Sequence, residues 1–160
     1  MAYVISFLIL GIVWANHHNR FRLISRSDQG FLVINILVLM CVAFIPFPTA
    51  LLSEYIRDEA HRTTAVAVYS GTLTVTAASF TLLWLYAATN YRLIDRSVDP
   101  SLLRAMTRRY VLGMFLYLFA FVLAFVSPTA SLALNLILAL LFILPELDGT
   151  GSAHRRSAGG

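Results

Sequence analysis

Five apolar runs, separated by short polar and Arg-bearing segments, set the pattern of this chain. They predict membrane-spanning helices over about residues 2–16, 31–52, 64–89, 110–126 and 129–144. A helix needs about 20 apolar residues to cross a bilayer, within a range of about 17–25. The second and third runs meet this easily, and the fourth and fifth lie near the lower limit. The first apolar run, residues 2–15, is short by itself. Trp14, as an interfacial anchor, and the Asn16-His17 turn bring it closer to spanning. A signal peptide would need a basic leader and a small-residue cleavage site. No Arg precedes Arg20, and Trp-Ala-Asn-His-His offers no such site.

The breaks between runs carry their own signals. Asp99-Pro100 reads as a helix N-cap followed by the first helical position. Residues 99–109 then form an interfacial amphipathic turn, with Leu102, Leu103, Met106 and Tyr110 on one face and Arg104 and Arg108 on another. Ser127-Pro128-Thr129 is a tight hairpin, and Pro145 stops the last run. The expected architecture is an all-α, polytopic transmembrane helix bundle over residues 1–147. The Gly/Ser/Ala/Arg-rich residues 148–160 are expected to form a disordered cytoplasmic tail.

Composition supports this reading. Of 160 residues, 59% are hydrophobic and 12% charged, with a mean hydropathy of +0.76. The charged share is about half the roughly 25% usual in soluble domains, so lipid is the natural solvent. Soluble cofactor enzymes are excluded. The pI near 9.6 has no need of nucleic acid, because the charge sits in loops between spans. All twelve basic residues are Arg. Ten of them (Arg20, Arg22, Arg26, Arg92, Arg96, Arg104, Arg108, Arg109, Arg155 and Arg156) fall on one side of the five-span pattern. Arg57 and Arg62 fall on the other, beside Glu54, Asp58 and Glu59. The positive-inside rule then puts the C-terminus in the cytoplasm and, with five spans, the N-terminus of this chain outside. A single further helix upstream would place both ends inside. Cys41, mid-span, packs as a small hydrophobe.

Few side chains could carry chemistry. Trp14, Asn16, His17 and His18 close the first run. They suit either an inter-helix hydrogen-bond network or interfacial anchoring. Pro46 and Pro48 each remove a backbone donor, so the outer end of the second span should kink, with Thr49 or a neighbour serving the freed carbonyls. An unwound, ion-facing segment is the alternative. The third span carries a stripe of Thr72, Thr76 and Ser79 and a small-xxx-small pair, Ala67 and Gly71. Close packing, with hydroxyls bonded back to their own helix, is favoured over pore lining. Asn35 and Asn135 are placed to bridge helices or subunits. No Asp, Glu or Arg lies mid-span, which argues against a carboxylate relay or an Arg voltage sensor. Glu54, Asp58 and His61 share a face, but ion pairs with Arg57 and Arg62 explain them more simply than a metal. No nucleotide, metal or nucleophile motif is present, so no enzyme activity and no cofactor is expected.

Two motifs together resemble a known family. Residues 3–21, with Ser6-Phe7 and Trp14-Ala15-Asn16-His17-His18, resemble the second helix of bacterial transmembrane-protein-175 potassium channels. Asn35, followed by Phe44-Ile45-Pro46-Phe47-Pro48-Thr49 and Glu54-Tyr55, resembles their third helix. Ser27-Asp28 and Asp99-Pro100 are similar but less specific. The resemblance is strong over residues 3–55 and covers most of the chain in layout. It implies a homotetramer of six-helix subunits with both ends cytoplasmic, conducting potassium ions passively across the lipid bilayer, with proton permeation in some relatives. In that family the pore is lined by a first helix bearing Arg-x-x-x-Phe-Ser-Asp, which no position here matches. Pore-lining residues are therefore not assigned, and this chain is expected to hold five of six helices and not to form a normal pore alone. By the resemblance, Trp14, Asn16, His17 and His18 would meet the network of that motif, and residues 46–49 would shape the outer end. The alternative is a non-conducting truncated membrane protein, or a packing subunit of a larger complex.

Overall fold

The computed structural model describes residue 24, residues 27–95 and residues 98–143. The first predicted span and the 148–160 tail lie outside these residues. The helices are α1 (Gln29–Phe44), α2 (Pro46–Tyr55), α3 (Arg62–Ala88), α4 (Pro100–Ala124) and α5 (Pro128–Ile143), with a 3-10 turn at Thr89–Tyr91 after α3. Among the described residues the only β pairing is an isolated antiparallel bridge between Ile24 and Ile94.

Each helix begins and ends for a local reason. Asp28 caps α1, its Oδ1 accepting the Phe31 N–H at 2.8 Å. Pro46 has no N–H to continue the ladder, so the Ile45 N–H turns to the Val42 carbonyl at 3.2 Å. Ile45 itself stays right-handed (φ −52°, ψ −38°). α1 and α2 therefore join as one kinked rod, Gln29–Tyr55, of 27 residues. Residues 100–124 form one unbroken helix, so the amphipathic turn and the start of the fourth span are continuous. Asp99 accepts the Ser101 N–H at 2.8 Å and Pro100 occupies the first turn, where its missing donor costs nothing. The α4–α5 turn is closed by the Ser127 N–H on the Leu123 carbonyl at 2.8 Å.

α3 is the central element, packed against α1, α2, α4 and α5. At 27 residues it is about 40 Å long, enough to cross a bilayer with tilt. It ends where Asn90 and Tyr91 both turn left-handed, each with φ 54°. That reversal lets the Leu93 N–H reach back to the Ala87 carbonyl at 3.1 Å. Leu93 and Ile94 thereby enter the core beside Phe31, Val38, Leu83, Trp84, Ala87 and Leu103. Trp84 stacks on Tyr110, ring centroids 5.3 Å apart, and donates its Nε1–H to Thr107 at 2.9 Å.

The outer faces are apolar. Val33, Ile36, Met40, Phe115, Phe119, Val122, Leu136 and Leu141 are all more than half exposed. Such continuous apolar surface belongs against lipid or another subunit. Three helical segments, Gln29–Tyr55, Arg62–Tyr91 and Pro100–Ala124, are long and apolar enough to span a membrane; Pro128–Leu141 is a shorter apolar helix. The protein is a multi-pass membrane protein of all-α fold.

Candidate functional site

Polar chemistry concentrates at three levels along the bundle. At the Arg-rich end, the carboxylate of Asp28 serves three elements. It caps α1 and accepts the Tyr86 hydroxyl from α3 at 3.0 and 3.1 Å. It also takes Arg92 Nε and Nη2, each at 3.1 Å. The Arg92 guanidinium in turn lies 4.4 Å from the centre of the Tyr86 ring, a cation–π contact. The Phe31 N–H holds the Asp28 carboxyl below its ordinary range; Tyr86 and Arg92 add to this, and partial desolvation opposes it. Asp28 is thus a fixed anion tying the start of α1 to the end of α3. Gly30 makes room for this, because a Cβ there would overlap the Tyr86 hydroxyl.

At the middle level α3 turns its hydroxyls inward. Thr72, Thr76 and Ser79 bond to the carbonyls of Val68, Thr72 and Thr76 at 2.7–2.8 Å, so the stripe is spent on its own helix. Thr74 and Thr81 also reach α4, at the carbonyls of Tyr117 (3.0 Å) and Tyr110 (3.3 Å). Gly71 lets α4 close in, since a Cβ there would lie 3.2 Å from the Phe121 ring. Deeper, Ser70, Ser131 and Asn135 form a buried knot joining three helices. Ser131 Oγ donates to the Ala120 carbonyl of α4 at 2.7 Å, leaving Ser70 to donate to Ser131 at 3.0 Å. Asn135 Nδ2 donates to Ser70 Oγ (2.8 Å) and to the Ser131 carbonyl (2.9 Å). Every donor is used; Asn135 Oδ1 is a buried acceptor without a partner among the described residues.

At the far end, Thr49 bonds back to its own helix beside the proline kink, and the Val42 carbonyl that Pro46 leaves free is taken by the Ile45 N–H. Thr49 Oγ1 donates to the Ile45 carbonyl at 2.9 Å, alongside the Thr49 N–H at 3.2 Å. Pro48 is buried, and Phe44 and Phe47 pack tilted, 5.3 Å apart, outside the kink. Among the described residues neither expected ion pair, Glu54–Arg57 nor Asp58–Arg62, forms. His61 Nδ1 takes Asp58 at 2.6 Å, and Arg62 Nε is buried without a partner there. The hydrogen bond from His61, helped by the Ala60 N–H, holds the Asp58 carboxyl below its usual range. Among the described residues no group of three His, Cys, Asp or Glu could hold a metal.

Trp14, Asn16, His17 and His18 lie outside the described residues. Asn35 is half-buried on α1 and engaged with a neighbour. Pro46, Pro48 and Thr49 fall together at the α1–α2 kink. Sequence reasoning missed Tyr86, Arg92 and Ser131. Tyr86 and Arg92 lie 58 and 64 positions from Asp28, so no local pattern links them.

The family model described as "Endosomal/lysosomal potassium channel TMEM175" matches residues 1–46. A protein from Streptomyces collinus named a potassium channel is 42% identical over 141 residues, 88% of this chain and 68% of that protein. A second, from Chamaesiphon minutus, is 41% identical over 144 residues, 90% of this chain and 70% of its own length. The crystal structure of a lysosomal potassium-selective channel TMEM175 homolog from Chamaesiphon minutus superposes with a TM-score of 0.75 at 38% identity, covering 88% of this chain and 70% of that one.

Proposed function

This chain belongs to the TMEM175 potassium-channel family, and from that premise we propose that it is a channel subunit passing potassium ions passively across the membrane. The identity to the Streptomyces collinus potassium channel, sustained over 88% of the chain, carries the reading. The internal chemistry supports it. Mid-helix hydroxyls are satisfied within the bundle. Among the described residues the charged side chains fall toward the ends of the spans, not at their middles, where a relay would need them. Conduction then falls to a pore at the meeting of subunits, selecting by constriction and a few polar groups. A homotetramer with the Arg-rich end and the C-terminus cytoplasmic belongs to the same proposal. So does proton permeation.

Residues 1–147 form the membrane domain in this reading and 148–160 the cytoplasmic tail. Trp14, Asn16, His17, His18 and Asn35 form the inter-helix network, and Pro46, Pro48 and Thr49 set the outer kink. The test is potassium flux into proteoliposomes, measured for this chain and for the chain extended by a helix bearing Arg-x-x-x-Phe-Ser-Asp. A pH-sensitive dye run in parallel reports protons. Potassium flux above protein-free liposomes from either form upholds the proposal. No flux from either, beside a conducting Streptomyces collinus relative, overturns it in favour of a packing subunit.

A further inference from the structure

The end of α3, its 3-10 turn and the first turns of α4 enclose a crevice of about 920 Å³ that the channel reading does not use. Leu85, Ala88 and Leu103 are in its apolar lining, and Arg104, Thr107 and Arg108 are among the residues of its polar side. The two arginines stand one helical turn apart, so both guanidinium groups project over the same opening. Arg104 commits its Nε to the Pro100 carbonyl at 3.2 Å, and Arg108 has no counter-charge among the described residues. Asp99 caps the helix at the Ser101 N–H and keeps its charge beside Arg104, so two guanidinium groups face one carboxylate. The crevice is therefore net positive over an apolar floor. It also lies at the Arg-rich start of the apolar helix α4, where the neighbouring Leu102 is nearly half exposed, as suits an interfacial segment.

We infer that this crevice binds an anionic phospholipid, its phosphate at Arg104 and Arg108 and the start of an acyl chain against Leu85, Ala88 and Leu103. Charge complementarity selects an anionic headgroup over a zwitterionic one. The apolar floor, with Leu85 partly exposed at its edge, selects a lipid over a free phosphate. The inference needs membrane embedding alone, and its readout is independent of ion flux.

Trp84 reports on the site, since its indole N–H binds Thr107 in the crevice wall. The chain has two tryptophans, so Trp14→Phe leaves Trp84 as the sole emitter. This protein is placed in phosphatidylcholine vesicles containing either brominated phosphatidylglycerol or brominated phosphatidylcholine at equal mole fraction. Phosphatidylglycerol is expected to quench at least threefold more effectively. Arg104→Gln with Arg108→Gln should bring that ratio close to one, and Ala105→Phe, which narrows the opening, should lower it. Arg155→Gln with Arg156→Gln removes equal charge elsewhere and should leave the ratio unchanged. Equal quenching by both lipids overturns the inference. So does a preference that survives the Arg104/Arg108 change, or one that falls equally with Arg155/Arg156, which marks a diffuse surface potential. Loss of quenching on adding millimolar glycerol phosphate assigns the site to a free phosphate and also overturns it. Unchanged phosphatidylcholine quenching in each variant verifies that Trp84 is still in place.

Discussion

Asp28 accepts hydrogen bonds from the backbone of α1, from Tyr86 and from Arg92, and all three favour its charged form. Its carboxyl titrates below the ordinary aspartate value of 3.8 in the folded protein. The stability it contributes is therefore complete above that value and lost as pH falls through the lower, folded one. Thermal unfolding in detergent should show wild type losing midpoint temperature below about pH 4, with Asp28→Asn lower at neutral pH and flatter across that window. The buried knot makes a second prediction. Asn135→Ala leaves Ser70 without the donor it accepts from, and Ser70→Ala leaves an Asn135 donor unmet. Each substitution should destabilise by about 1 kcal/mol, and the double mutant should lose less than the sum, because the two share one bond. Additive losses in a double-mutant cycle would show that the knot contributes no coupling.

Among the elements, the rod of α1 and α2 is shaped by two absent N–H groups. Replacing Pro46 and Pro48 together with Ala restores donors to the Val42 and Phe44 carbonyls, so the rod should straighten and swing the end of α2 away from α3. Spin labels at Ser53 and Thr63, compared in wild-type and double-Ala backgrounds, should report a longer and broader distance. An unchanged distance means that packing of α2 on α3, and not proline, sets the bend. Thr49 was expected to serve a freed carbonyl; its hydroxyl instead doubles the regular bond of its own N–H to Ile45, and the Val42 carbonyl takes the Ile45 N–H. The α3 stripe was also legible, because a hydroxyl in lipid has few acceptors nearer than its own preceding turn.

At the scale of the molecule, the distribution of Arg fixes the expected sidedness. With the native Cys41 changed to Ser, a single Cys at Ser127, in the α4–α5 turn, should react with a membrane-impermeant maleimide on intact cells. A single Cys at Ser101, at the start of α4, should react only after permeabilisation. The reverse pattern would invert the proposed orientation. Embedding itself follows from how little of the apolar surface the chain can cover. α3 is the most covered helix but still exposes Val75 and Leu82, and the outer faces of α1, α4 and α5 stay open to lipid or to other subunits.

Hydrophobic run length, Arg placement and proline position are local or additive properties, so they could be read before any fold was known. They determined the all-α membrane architecture, the helix start at Asp99 and the break at Pro46, whereas the cap at Asp28 emerged only with the fold. The pairing of side chains from different helices is not local. Asp28 meets Tyr86 and Arg92, Ser70 meets Ser131 and Asn135, and His61 displaces Arg62 from Asp58. Which of several chemically equivalent partners wins depends on helix rotation and depth. Those are set by close packing around small residues such as Gly30 and Gly71, and so only the tertiary structure decided them.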